Sequence, residues 1–69
     1  MKTVYEAVSD YVADNSTTKD AVAESLEIGR STFFMKVRGA SEFTLPEAYR
    51  LSRMLGCSID DLYEMTQAG

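Results

Sequence analysis

Val4, Ala7, Val8, Tyr11 and Val12 fall at i, i+3, i+4, i+7 and i+8, with Lys2, Glu6, Asp10 and Asp14 between them. The spacing lays one apolar stripe on an amphipathic helix over about residues 3–14, which Asn15-Ser16 ends. Thr17 or Thr18 can cap a second helix, Asp20 standing three residues beyond Thr17 in capping-box spacing, and Val22, Ala23 and Leu26 supply its buried face. Being about two turns long, this helix depends on tertiary packing. After the three-residue link Glu27-Ile28-Gly29, a third helix runs from Arg30 to Arg38 with Phe33 and Val37 at i, i+4, closed by Gly39 as a left-handed cap. Residues 40–43 form a loop. Thr44-Leu45-Pro46-Glu47 then opens a fourth helix, with Thr44 as N-cap, Pro46 in the first turn and Glu47 at the third position. It continues through Ala48, Leu51, Met54 and Leu55 to Gly56. Ser58-Ile59-Asp60-Asp61 starts a fifth, whose Ile59, Leu62 and Met65 close over the core, while Met65 to Gly69 reads as a fraying tail. No segment alternates with period two between turn residues, so the prediction is an all-α, compact five-helix bundle.

Composition narrows the chemistry. A chain of 69 residues with 45% apolar content makes one small globular domain with little room for an enclosed active site. It has one cysteine, Cys57, and no histidine. An internal disulfide is therefore closed off, a zinc site would need carboxylates beside one thiolate, and histidine-based catalysis is absent. The expectation is a protein that is not an enzyme and uses no cofactor, metal or small-molecule ligand. No apolar run approaches the roughly 18 residues of a membrane span and no leader pattern is visible, which predicts a cytoplasmic protein with no membrane partner.

The net charge of −4 argues against a nucleic-acid partner, but its distribution argues the other way. Both ends are acidic. Between them Arg30, Lys36, Arg38, Arg50 and Arg53 face only Glu42 and Glu47, leaving the middle third at +3. Two short helices at a sharp link, with cations crowded on the second, suit a helix laid in the major groove of DNA.

The run A-V-A-E-S-L-E-I-G-R-S-T-F, then R-G at 38–39, F-T-L-P-E at 43–47 and L-G-C-S-I-D-D-L-Y at 55–63, resembles the XRE-type helix-turn-helix family, the Cro and phage-repressor group. The resemblance covers about residues 18–64 and takes in the family's patterns L-A-x-x-L-G-I-S-R-S-T and L-G-V-S-x-D-x-L. It implies a transcriptional regulator that binds double-stranded DNA, with a motif over about residues 18–38 and a third helix that reads the major groove, often as a pair of copies on a pseudo-palindromic site. By position it implies base contacts from Arg30, Ser31 and Met35, and backbone contacts from Thr18, Lys19, Thr32, Lys36, Arg38 and Ser41.

Physical chemistry leaves several of these roles open. Opposite Phe33 and Val37, the residues Ser31, Met35 and Arg38 project outward. Arg30 at the helix N-terminus reaches either a guanine edge or a phosphate. Ser31 either bonds a base or completes the helix N-terminus, and Met35 meets thymine methyls or another protein. Phe34 reads as half-buried core. Lys36 and Arg38 are phosphate partners or solvated charges, and Arg50 and Arg53 either extend the positive strip or pair with carboxylates such as Glu47.

Two residues depart from the family pattern. Glu27 stands where glycine is usual and a left-handed backbone is expected, so it should carry some strain or take a different turn, and Gly29 replaces the usual Ser or Thr cap. With Glu24 and the acidic first helix, they predict weak non-specific DNA affinity and dependence on dimerisation or an optimal site. A homodimer would form through the last helix, with Leu62, Tyr63 and Met65, and Cys57, aligned with a core valine, is expected to be a small buried thiol. The competing expectation is a module that keeps this fold but binds protein instead of DNA, supported by the acidic ends and by Phe34-Met35.

Overall fold

The computed structural model describes residues 2–68, and within them the chain forms five helices and no strand. These are α1 (Val4–Asp14), α2 (Lys19–Ser25), α3 (Arg30–Val37), α4 (Leu45–Leu55) and α5 (Ile59–Gln67). No described helix is long and apolar enough to cross a membrane.

Local chemistry explains where each helix begins. Thr3 and Glu6 form a reciprocal capping box at α1, and Thr44 and Glu47 form another at α4 with Pro46 in its first turn. Thr18 caps α2 by accepting from the Ala21 amide at 3.1 Å, so Thr17 is not the cap and Asp20 makes no capping box. Ser58 caps α5. Gly29 alone gives no side-chain hydrogen bond, and α3 starts uncapped.

The endings share one device. Behind α1, α2, α3 and α4 a residue with left-handed backbone turns the chain: Ser16 at φ 51°, Glu27 at 62°, Gly39 at 85° and Gly56 at 72°. In each case the following amide reaches back five residues, as Ile28 does to the Ala23 carbonyl at 3.2 Å and Ala40 to that of Met35 at 2.9 Å. This is the Schellman closure that glycine favours. Two of the four positions are not glycine.

Val4, Val8, Val22, Leu26, Phe33, Leu51 and Leu62 are the largest side chains wholly removed from solvent, drawn from all five helices and the α2–α3 link. α1 packs against α2, α4 and α5, α4 against α5, and α2 against α3. Two expectations for α5 fail. Met65 is buried and the helix runs on to Gln67, so the stretch from Met65 is no fraying tail; the turn closes because Met65 lies three residues beyond Leu62 on the core side. Ile59, at the first turn, stays exposed. Cys57 packs against the core but is only half-buried, and burial together with the nearby Asp61 carboxylate pushes its thiol above its ordinary value. Gly69 lies outside the described residues.

Candidate nucleic-acid interface

The α2–α3 link is shaped by three residues in turn. Glu27 turns the chain through the left-handed region, Ile28 tucks its side chain against the core, and Gly29 at φ −72°, ψ 160° feeds extended backbone into α3. Phe33 and Val37 then face inward, which leaves Arg30, Ser31, Thr32, Met35 and Arg38 exposed on the far side. Five of the nine predicted contact residues therefore share one accessible helix surface and its ends. Phe34 is half-buried, edge-on to Phe33 with ring centroids 5.9 Å apart. Ser41 is half-buried beyond the end of α3.

Thr18 and Lys19 stand at the start of α2. The Thr18 hydroxyl is occupied as the cap. The Lys19 ammonium donates to the Tyr5 hydroxyl at 3.2 Å and lies 4.3 Å from that ring's centroid, so α1 orients a cation of α2. Tyr5 carries no signal in the sequence beyond its place on the outer side of α1.

The cations differ sharply in what already holds them. Arg30 sits 3.3 Å from an Asp20 carboxylate oxygen and 6.0 Å from the Phe34 ring, with both charged side chains well exposed. Arg50 pairs in the same way with Glu27 at 3.3 Å. Such exposed pairs are weak and exchange readily with another anion. Lys36 is different: its ammonium meets Glu47 Oε1 at 2.5 Å with both side chains only 11% exposed. The same oxygen accepts from the Thr44 amide at 2.9 Å. Burial pushes the Glu47 carboxyl upward, but the hydrogen bonds and charge supplied by Lys36 and Thr44 outweigh it and hold the group below its ordinary value. Lys36 thus ties α3 to α4 and is not the open phosphate partner its position suggested. Arg38, by contrast, is exposed and has no carboxylate within 4.0 Å among the described residues. Arg53 lies over the Tyr49 ring at 5.9 Å, not beside Glu47.

Searched against protein-family models, curated proteins and solved structures, the chain gives no match in any of the three. One helix presents hydrogen-bonding, apolar and cationic side chains together, flanked by a cation oriented from α1.

Proposed function

We propose that the protein binds double-stranded DNA in a sequence-specific way and acts as a cytoplasmic, Cro- or repressor-like transcriptional regulator, with α3 entering the major groove. The observation that carries this reading is the outer surface of α3. Arg30, Ser31 and Met35 stand on a helix held from behind by Phe33 and Val37, with Arg38 exposed at its end and no carboxylate within 4.0 Å of it among the described residues. Arginine suits a guanine edge, serine suits any base, and the methionine thioether suits a thymine methyl. Lys19 and Arg38 then serve as phosphate contacts on either side, and Arg30 joins the base contacts when it leaves Asp20 for DNA.

Selection of bound duplexes from a random pool at low salt tests the proposal, since a specific binder enriches a shared site. On that site, log affinity against log salt should fall with a slope of about −2 to −3, as roughly 0.9 per phosphate contacted requires for two or three contacts. Arg38→Ala should make the slope shallower by about 1. Failure to enrich any duplex removes the proposal. The second reading, a protein-binding module of the same fold, has the exposure of Met35 (45%) and the carboxylates beside Arg30 and Arg50 in its favour.

A further inference from the structure

Away from the outer surface of α3, a groove of about 540 Å³ runs between the α3–α4 connection, α4 and α5. Its apolar lining is Phe43, Leu45, Ala48, Ile59, Leu62 and Tyr63. Leu45 is 71% exposed, Tyr63 64% and Ile59 37%, so three large apolar side chains stand together in water at its mouth. Isolated exposed leucines need no explanation, whereas a grouped set around a concavity marks a contact surface.

Charge selects the occupant. Among the described residues Lys36 is the one cation in the lining, and its ammonium is engaged by Glu47. Glu42 lines the groove as an exposed carboxylate. At about 100° per residue, Asp60 borders the Ile59–Tyr63 ridge of α5 and Glu64 follows one turn on. The uncompensated charge, from Glu42 in the lining and Asp60 beside it on α5, is therefore negative, and the remaining polar lining of Ser41, Thr66 and Gln67 is neutral. A second copy of the chain fits poorly, because a two-fold contact here brings together two surfaces with the same negative charge and no free cation in the described lining. The dimer surface expected on α5 loses two of its three residues as well, since Leu62 and Met65 are buried in the protein's own core.

We propose that this groove docks a short cationic amphipathic helix of a partner protein, which lays apolar side chains at i, i+3 and i+4 on Leu45, Ile59 and Tyr63 and sets Lys or Arg against Glu42 and Asp60. The proposal does not depend on DNA binding. The outer residues Ser31, Met35 and Arg38 take no part in the lining, to which α3 and its end contribute Lys36 and Gly39.

The test is a titration of the isotope-labelled full chain, followed by amide shifts, with synthetic helical peptides of ~14 residues, about four turns. One carries Leu at helical spacing with Lys elsewhere, a second replaces Lys by Glu, and a third keeps the Lys but scrambles the Leu positions. The expected result is a saturable response to the first peptide alone, confined to residues around Phe43, Ala48, Leu62 and Tyr63. Leu45→Ser and Tyr63→Ala, both at exposed positions, should each weaken binding about tenfold while leaving the melting temperature in place. Glu42→Lys with Asp60→Lys should transfer the preference to the Glu peptide. Equal response to all three peptides, shifts centred on Ser31 and Met35, or indifference to these substitutions would overturn the proposal. So would sedimentation as a dimer whose interface protects these same residues.

Discussion

Glu27 occupies a backbone conformation that costs an L-residue about 1–2 kcal/mol, and the two hydrogen bonds that close α2 hold it there. Its exposed pair with Arg50 returns little of that cost. Glu27→Gly should therefore raise stability by about 0.5–1 kcal/mol, after allowing for the greater freedom of glycine in the unfolded chain. Glu27→Ala, which removes the charge but keeps the strain, should give no such gain. Chemical denaturation of the two variants separates backbone from charge. The left-handed conformation at Glu27 was expected only through the resemblance, which puts glycine at that position; spacing alone would have offered Gly29 as readily. The same conformation at Ser16 was not: Asn15-Ser16 announces an ending and leaves its geometry unsaid.

Among the elements, α3 is the one whose setting matters most, and it begins without a cap. The Lys36–Glu47 pair fastens its C-terminal half to the first turn of α4. Glu47→Gln leaves a largely buried ammonium without its counter-charge and should cost about 2–4 kcal/mol, whereas joint replacement by Lys36→Met and Glu47→Met should cost much less, with the lost capping bond accounting for about 1 kcal/mol. The pH dependence has a definite sign. With the folded Glu47 carboxyl below the ordinary value of 4.5, its contribution is complete above that value and is lost as pH falls through the lower folded pKa. Thermal melts from pH 6 downward should show a loss that the Gln variant lacks over this window. Sequence alone disclosed the Thr44–Glu47 cap, because capping is local. It could not disclose that the same carboxylate reaches Lys36, eleven residues back across a loop. Met65 was rightly expected in the core, but the end of α5 was misjudged for a related reason: Thr66 and Gln67 give no periodic signal, and only the packed structure shows that the helix continues.

At the scale of the whole molecule, acidic residues surround the cationic helix and reach into it. Asp20 and Glu27 each pair with an arginine that the +3 middle third counted as free. The positive strip read from sequence is thus smaller in three dimensions: among its members, Lys36 is held within the fold and Arg30 and Arg50 are weakly neutralised. Removing the Asp20 charge as Asp20→Asn should strengthen binding to a selected duplex about two- to fivefold at low salt, a gain matching the ~0.5–1 kcal/mol of one exposed ion pair. Fluorescence anisotropy with labelled duplex reads this directly. An unchanged affinity would mean that Arg30 stays with Asp20 and takes no part in binding. The helical architecture was legible because five amphipathic segments and their breaks are local patterns. Charge pairing between helices was not, as it depends on which surfaces meet.

Cys57, half-buried between α4 and α5 with its thiol held above the ordinary value of 9.0, gives this chain a built-in clock. Near neutral pH an alkylating reagent finds less thiolate here than on a free cysteine, so labelling should be slower than that of a free thiol and should quicken whenever the α4–α5 corner separates. The single thiol makes the signal unambiguous. Rates measured by mass spectrometry should rise with mild denaturant well before global unfolding, and should slow when a ligand spans both helices.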